Sequence, residues 1–335
     1  MRTRRGRGTA LVVTAATLVL AAGCSAGGGA AAPPSVEKPN LTAAVVPSLD
    51  SAGFFIALYG GLFRDQGLNV TFVPAVSSET AISAQVNGQY DITAGNYVSY
   101  IQAQEGHQAN LDIFAEGSVM EQGAQAIYTM PGSSIKTIAD LKGRTIGINA
   151  PENILYLLAA SVLAEHGIPA GQVTFKDNIP LPLMAAALRS GAINAAVLPE
   201  PFASMAEEKF GAVPLTDLNQ GATTSFPVLG YVVTKQWAQK YPRTLAAFYT
   251  ALQEGQQIAD TDRAAVEEAM EHLPMKPVPL GVSKETAAVM ALDNYPVSSG
   301  QVGSVDTVRL QRVVDVMHQF LSFPKFSINS MLMGG

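Results

Sequence analysis

Val70-Thr71-Phe72 is followed by Gly88-Gln89-Tyr90-Asp91, and 103 residues further on Val173-Thr174-Phe175 is followed by Gly191-Ala192-Ile193-Asn194. A self-similarity at constant spacing marks a repeated structural unit. Around each copy the chain runs in the same order: strand, loop, helix, glycine-containing turn, Val-Thr-Phe strand, loop, Ala-rich helix, glycine, short strand, loop. Short β-like runs are read at 41–46, 69–73, 91–94, 111–115, 125–130, 145–148, 173–176, 194–198 and 230–234, with runs of helical length such as 154–165 and 183–189 between them. Such alternation is the α/β signature, and the repeat predicts two similar lobes.

In open parallel sheets a ligand crevice lies at the carboxyl ends of the strands, where loops lead into helix N-termini. Each copy supplies three such loops. The first has 47–51 (PSLDS), 74–78 (PAVSS) and 95–97 (GNY); the second has 149–153 (NAPEN), 177–180 (DNIP) and 199–202 (PEPF). Ser51, Ser78, Asn96 and Asn149 stand where a side-chain oxygen caps a first helical turn, and capping alone accounts for them at about 1 kcal/mol each. Helix N-termini gathered at one crevice also offer amide donors to a polar ligand. The candidate ligand-binding residues are therefore Asp50, Ser51, Phe54, Ser77, Ser78, Asn96, Tyr97, Asn149, Asn153, Glu200, Phe202 and Tyr231. Tyr97 and Phe202, directly after turn residues, are expected to face the cleft; Phe54, within Phe54-Phe55-Ile56, also fits a core.

Other chemistries find little support. The four histidines, His107, His166, His272 and His318, are scattered, and none has a cysteine or second histidine at metal-ligand spacing. No Gly-x-Ser-x-Gly elbow or phosphate-binding loop follows a strand. No metal or cofactor is expected.

The N-terminus carries Arg2, Arg4, Arg5 and Arg7, an apolar run over 9–22, then Gly23-Cys24-Ser25. This is the arrangement of a secretory signal, expected at 1–23, and its run is short for a bilayer span of about 20 residues. Cys24 is the one cysteine in 335 residues and resembles the lipidated cysteine of a bacterial lipobox, so the expected location is the outer face of a bacterial cell membrane. Residues 24–40 read as a flexible tether. Without the signal arginines, 17 basic residues face 27 acidic ones, which argues against a nucleic-acid partner.

With these residues in view, the chain resembles the nitrate/sulfonate/taurine and thiamine-precursor binding proteins. That family of periplasmic-type solute receptors also contains the yeast-type pyrimidine synthases. The resemblance rests on Tyr59-Gly60-Gly61-Leu62-Phe63-Arg64-Asp65-Gln66-Gly67-Leu68, Asn87-Gly88-Gln89-Tyr90-Asp91, Ile138-Ala139-Asp140-Leu141-Lys142-Gly143-Arg144-Thr145-Ile146-Gly147, the segment 187–196 and Glu200-Pro201-Phe202. Asn194 departs from the Asp usual there. The resemblance implies a type II periplasmic-binding-protein fold, each lobe a mostly parallel sheet flanked by helices, joined by two crossover strands expected at 125–130 and 230–234. The first lobe is then 41–128 with 229–335, and the second 129–228.

The resemblance also implies a monomeric, non-catalytic receptor that works with an ABC permease and its ATPase. Two alternatives stand beside it: an enzyme of the pyrimidine-synthase kind, and a sensory lipoprotein. The synthases use a cysteine-rich segment and a histidine, whereas Cys24 lies beside the signal. The ligand is expected to be a sulfonate- or nitrate-type anion or a heteroaromatic vitamin precursor. The six loops contain no Arg or Lys but do carry Asp50, Glu152, Asp177 and Glu200, which tilts the reading to a neutral or weakly charged organic molecule.

Overall fold

The structure, a computed structural model, describes residues 35–273 and 305–333. The signal, Cys24 and the tether up to residue 34 lie outside the described residues. The chain enters β1 (Asn40–Val45), turns at 49–51 into α1 (Ala52–Gly60) and α2 (Leu62–Asp65), and continues through β2 (Asn69–Pro74), α3 (Ser78–Val86), β3 (Ile92–Asn96), α4 (Tyr97–Glu105) and β4 (Leu111–Val119). It crosses at 120–124 to β5 (Gln125–Thr129), then runs through β6 (Thr145–Gly147), α5 (Ile154–Glu165), β7 (Thr174–Lys176), α6 (Leu181–Arg189), β8 (Ala195–Pro199), α7 (Phe202–Phe210) and β9 (Val213–Asp217). A second crossing at 218–226 returns it to β10 (Pro227–Thr234), followed by α8 (Lys235–Lys240), α9 (Pro242–Thr261), α10 (Arg263–Glu271) and α11 (Thr307–Phe320).

Two five-stranded sheets result, ordered β2-β1-β3-β10-β4 and β7-β6-β8-β5-β9. In each, one strand is antiparallel to both neighbours: β10 in the first lobe and β5 in the second. The architecture is the two-lobe α/β fold. The crossover positions are corrected: 125–130 and 230–234 are not links but interior strands, and the chain passes between lobes just before them. Hydrogen bonding on both sides, not connectivity, sets their place. Lobe limits at 128 and 228 would cut through β5 and β10. β9 escaped the sequence reading because Pro214 interrupts it; as an edge strand it tolerates the missing donor.

The repeat is structural. The Thr42 amide donates to Asp91 Oδ2 at 3.0 Å, and 103 residues on the Thr145 amide donates to Asn194 Oδ1 at 2.9 Å. Each partner's own amide returns the bond, Asp91 to the Thr42 carbonyl at 2.9 Å and Asn194 to the Thr145 carbonyl at 2.8 Å. An amide oxygen suffices for that latch, so Asn serves in the second lobe. Asp91 also meets Lys38 and the Trp237 indole, which favour a carboxylate. The turns before these strands need Gly88 and Gly191, with φ of 75° and 76°.

β8, central in the second sheet, is apolar and buried at every position, as a strand covered on both faces is. In the first lobe, α1 and α9 pack so closely that a Cβ on Gly255 would fall 2.2 Å from the Gly53 carbonyl. Phe54, Phe63 and Phe248 fill the space beside them, with the Phe63 and Phe248 rings 4.6 Å apart. Among the described residues no helix is long and apolar enough to cross a membrane.

Candidate functional site

The carboxyl ends of β1, β3 and β8 open onto one cavity between the lobes, with about 460 Å³ of atom-free space when the open solvent at its mouth is included. Five of the six loops contribute to it. From the first lobe come Val46, Ser48, Asp50, Ser78, Gly95 and Asn96, with Val228 and Leu229 of β10 beneath. From the second come Gln125, Asn149, Asn153, Ile154, Leu155, Leu181 and Pro199. A concave, mostly apolar site with a few convergent polar groups is the form that small-molecule sites take.

Local chemistry holds these groups in place. Asn96 Oδ1 caps α4 by accepting the Ser99 amide at 2.9 Å, while its own amide and Nδ2 donate to Ser78 Oγ at 3.0 and 2.9 Å. Asn153 Oδ1 caps α5 through the amides of Leu155 and Tyr156, and its Nδ2 donates to Asn149 Oδ1 at 2.7 Å. Asp50 takes the Ser118 hydroxyl on Oδ1 at 2.8 Å and the Ser48 hydroxyl on Oδ2 at 3.4 Å. Burial pushes the Asp50 carboxyl above the usual range, and those two hydroxyls offset only part of the shift. Asp50 is the one charged residue among the described residues that line the cavity. On the opposite wall Gln125 is 2% exposed, and its Oε1 has no hydrogen-bond partner among the described residues.

The lobes touch across the cleft. The Leu49 amide donates to the Glu200 carbonyl at 3.2 Å, and Gln102 Nε2 donates to the Glu152 carbonyl at 2.9 Å.

Seven of the candidate residues do not line this cavity, and the expectation that they face it is corrected. Phe54, Tyr97 and Tyr231 are fully buried core residues. Tyr97 opens α4, and its ring lies back on β10, where a Cβ on Gly230 would come within 2.4 Å of it. Phe202 lines a separate apolar hollow in the second lobe, between α6 and α7. Ser51 donates to the Val46 carbonyl at 3.0 Å rather than capping α1, and Ser77, not Ser78, caps α3 through the Thr80 amide. Glu200 turns its carboxylate to Ser204, leaving its carbonyl to the cleft contact. Asp50, Ser78, Asn96, Asn149 and Asn153 do come together. Ser48 and Gln125 were missed; Ser48 stood in a named loop, two residues from Asp50, but Gln125 read only as a strand residue.

Comparison with known proteins places this geometry. A solved alkanesulfonate-binding protein SsuA from Xanthomonas axonopodis pv. citri, bound to MOPS, shares the fold with a TM-score of 0.73 at 17% identity, covering 90% of this chain and 99% of that one. The periplasmic nitrate-binding protein NrtA from Synechocystis PCC 6803 does so with a TM-score of 0.72 at 14% identity, covering 89% and 85%. In sequence, the nitrate import ATP-binding protein NrtC of Synechocystis sp. is 27% identical over 277 residues, covering 78% of this chain; the chain spans 40% of that relative's length. The family model for the NMT1-like family matches residues 35–273, and the chain belongs to that family.

Proposed function

We propose that the chain is the solute-binding receptor of an ABC-type importer, taking one small organic molecule between its lobes and presenting it to a permease and ATPase. The observation that carries this reading is the cavity itself: polar groups from equivalent strand ends of both lobes meet in it, so a ligand there is held only when the lobes close. The names of the similar proteins, two solute-binding proteins and one import ATP-binding protein, agree with it. Turnover would need an activated nucleophile or an acid–base pair facing the ligand; among the described residues the cavity wall offers the hydroxyls of Ser48 and Ser78 and Asp50 as its one titratable group. The receptor is exported and monomeric, held to the membrane by a lipid on Cys24 through the tether, with the lobes exchanging at 120–124 and 218–226. Calorimetry and small-angle scattering test the central reading: one molecule bound per chain, with a smaller radius of gyration when bound. Binding without compaction, or chemical conversion of the bound molecule, would overturn it. Membrane release of Cys24→Ala, with folding unchanged, tests the anchor.

A further inference from the structure

The amino ends of the first-lobe strands form the pole of the molecule opposite the cleft, and the chain enters the fold there. β1 begins at this pole with Asn40, β3 with Ile92 and β4 with Leu111, while β10, running the other way, ends there at Thr234. A trough crosses the pole, with about 1190 Å³ of space when the open solvent at its mouth is included. Tyr90, Trp237 and Tyr241 line it together with Lys38 and Lys240. The Trp237 indole Nε1 donates to Asp91 at 2.8 Å, and its ring lies 5.3 Å from that of Tyr241. The ammonium groups of Lys38 and Lys240 stand 5.9 and 5.1 Å from the Tyr241 ring centre. All three rings stay half-buried at the surface. Trp and Tyr with one wet edge, flanked by lysines, are the set that settles at the headgroup level of a bilayer.

The charge at this pole points the same way. Its carboxylates already meet cations: Asp91 meets Lys38, Glu37 meets Arg243 at 3.0 Å, and Asp112 meets Lys235 at 3.8 Å. Lys240 is exposed and has no carboxylate partner among the described residues. The occupant follows from where the chain enters. Cys24 precedes Ser35, the first described residue, by eleven positions, a reach of at most about 40 Å when fully extended. A lipid on Cys24 therefore holds this pole, the nearest part of the fold along the chain, beside the bilayer.

We propose that the pole docks on the headgroup layer of an anionic phospholipid bilayer, with Trp237 and Tyr241 at the interface and Lys240 directed to the lipid phosphates. The proposal rests on the lipid-anchor part of the reading above and goes beyond it, because an anchor alone leaves the orientation of the protein open. In this pose the cleft faces away from the bilayer, and the second lobe stands clear to move against the first.

Trp237 is the one tryptophan of the chain, so its emission reports this pole directly. The test uses the full acylated chain, extracted from the membranes of the producing cell and reconstituted into phosphatidylcholine vesicles with or without phosphatidylglycerol, doped with a lipid that carries a nitroxide on its headgroup. Flotation with the vesicles reads the anchor, and quenching of Trp237 reads the pose. Trp237 should be quenched when phosphatidylglycerol is present, and the quenching should fall as salt is added. Lys240→Glu should lower the docked-to-undocked ratio roughly fivefold or more, from what one lysine contributes near an anionic surface. Lys209→Glu, at an exposed position of the second lobe, should leave that ratio unchanged. Chain that floats but is quenched no more with phosphatidylglycerol than without, or that loses as much from Lys209→Glu as from Lys240→Glu, would overturn the docking face and leave the anchor standing. Chain that does not float would overturn the anchor and this pose with it, and leave the receptor reading of the cleft untouched.

Discussion

The backbone amide of Leu49 donates to the carbonyl of Glu200 at 3.2 Å, tying the first loop of one lobe to the last strand-end loop of the other. Both partners are main-chain groups, so no substitution removes the bond directly. Its companion across the cleft can be removed: Gln102 Nε2 donates to the Glu152 carbonyl at 2.9 Å. That bond runs from α4 of the first lobe to the 149–153 loop of the second, so a motion that parts the lobes would break it. Gln102→Ala should therefore bias the equilibrium towards the open form by about 0.5–1.5 kcal/mol, a twofold to tenfold loss of affinity. The unfolding temperature should hardly move, because the bond lies at the surface. An unchanged affinity with unchanged scattering would show that this contact does not favour closure.

Asp50 gives the ligand-free protein a pH dependence whose sign is set by burial. Its carboxyl is raised above 3.8 by desolvation, so the folded chain holds that proton more tightly than the unfolded chain. Its contribution is fully favourable below about 3.8 and is lost as pH rises through the higher folded value. The surroundings do not reverse this: Ser118 and Ser48 donate to it, and the nearby Tyr231 hydroxyl is itself pushed up by burial, so it stays neutral. Asp50→Asn should thus raise the unfolding temperature of the ligand-free protein near neutral pH, with the advantage fading in acid. A variant less stable than wild type at every pH would contradict the assignment of a half-buried carboxylate with no cationic partner among the described residues.

Tyr97 shows where sequence stops deciding. The repeat was legible because backbone latches need fixed residues: Thr42 with Asp91, and Thr145 with Asn194, recur at one offset. The strand-end loops were legible because topology sends them to one crevice. Which side chain within a loop faces that crevice depends on packing from distant segments. Tyr97 follows a turn and reads as exposed, yet β10, arriving more than a hundred residues later, brings Gly230 under its ring. Gln125 reads as a strand residue, and only the meeting of β5 with β8 puts it in the wall. Tyr97→Ala should cost about 3–5 kcal/mol, as for other buried aromatic truncations. Denaturant unfolding measures this; a loss under about 1 kcal/mol would return Tyr97 to the cleft.

The return crossing is pinned from both sides, and this sets a test of how the lobes are hinged. From α11, Arg312 Nη2 donates to the carbonyls of Ala222 and Thr224 at 2.8 and 2.6 Å, and Nη1 reaches the Ser225 carbonyl at 3.4 Å. From α5 in the second lobe, Glu165 Oε1 accepts the Ala222 amide at 2.8 Å. Since α11 packs against α4 and β10 of the first lobe as well as α5, Arg312 holds the link where its two ends must pivot. A guanidinium suits this because its planar fork serves several carbonyls at once, which a single ammonium cannot reproduce. Arg312→Ala should cost about 1–3 kcal/mol and speed amide exchange across 218–226, with Arg312→Lys recovering only part of either. Affinity should fall with it, because a link free to adopt many geometries closes the lobes less often in register. Faster exchange at 218–226 with unaltered affinity would mean the link is held for stability alone, and the closing motion would have to be governed by the 120–124 crossing.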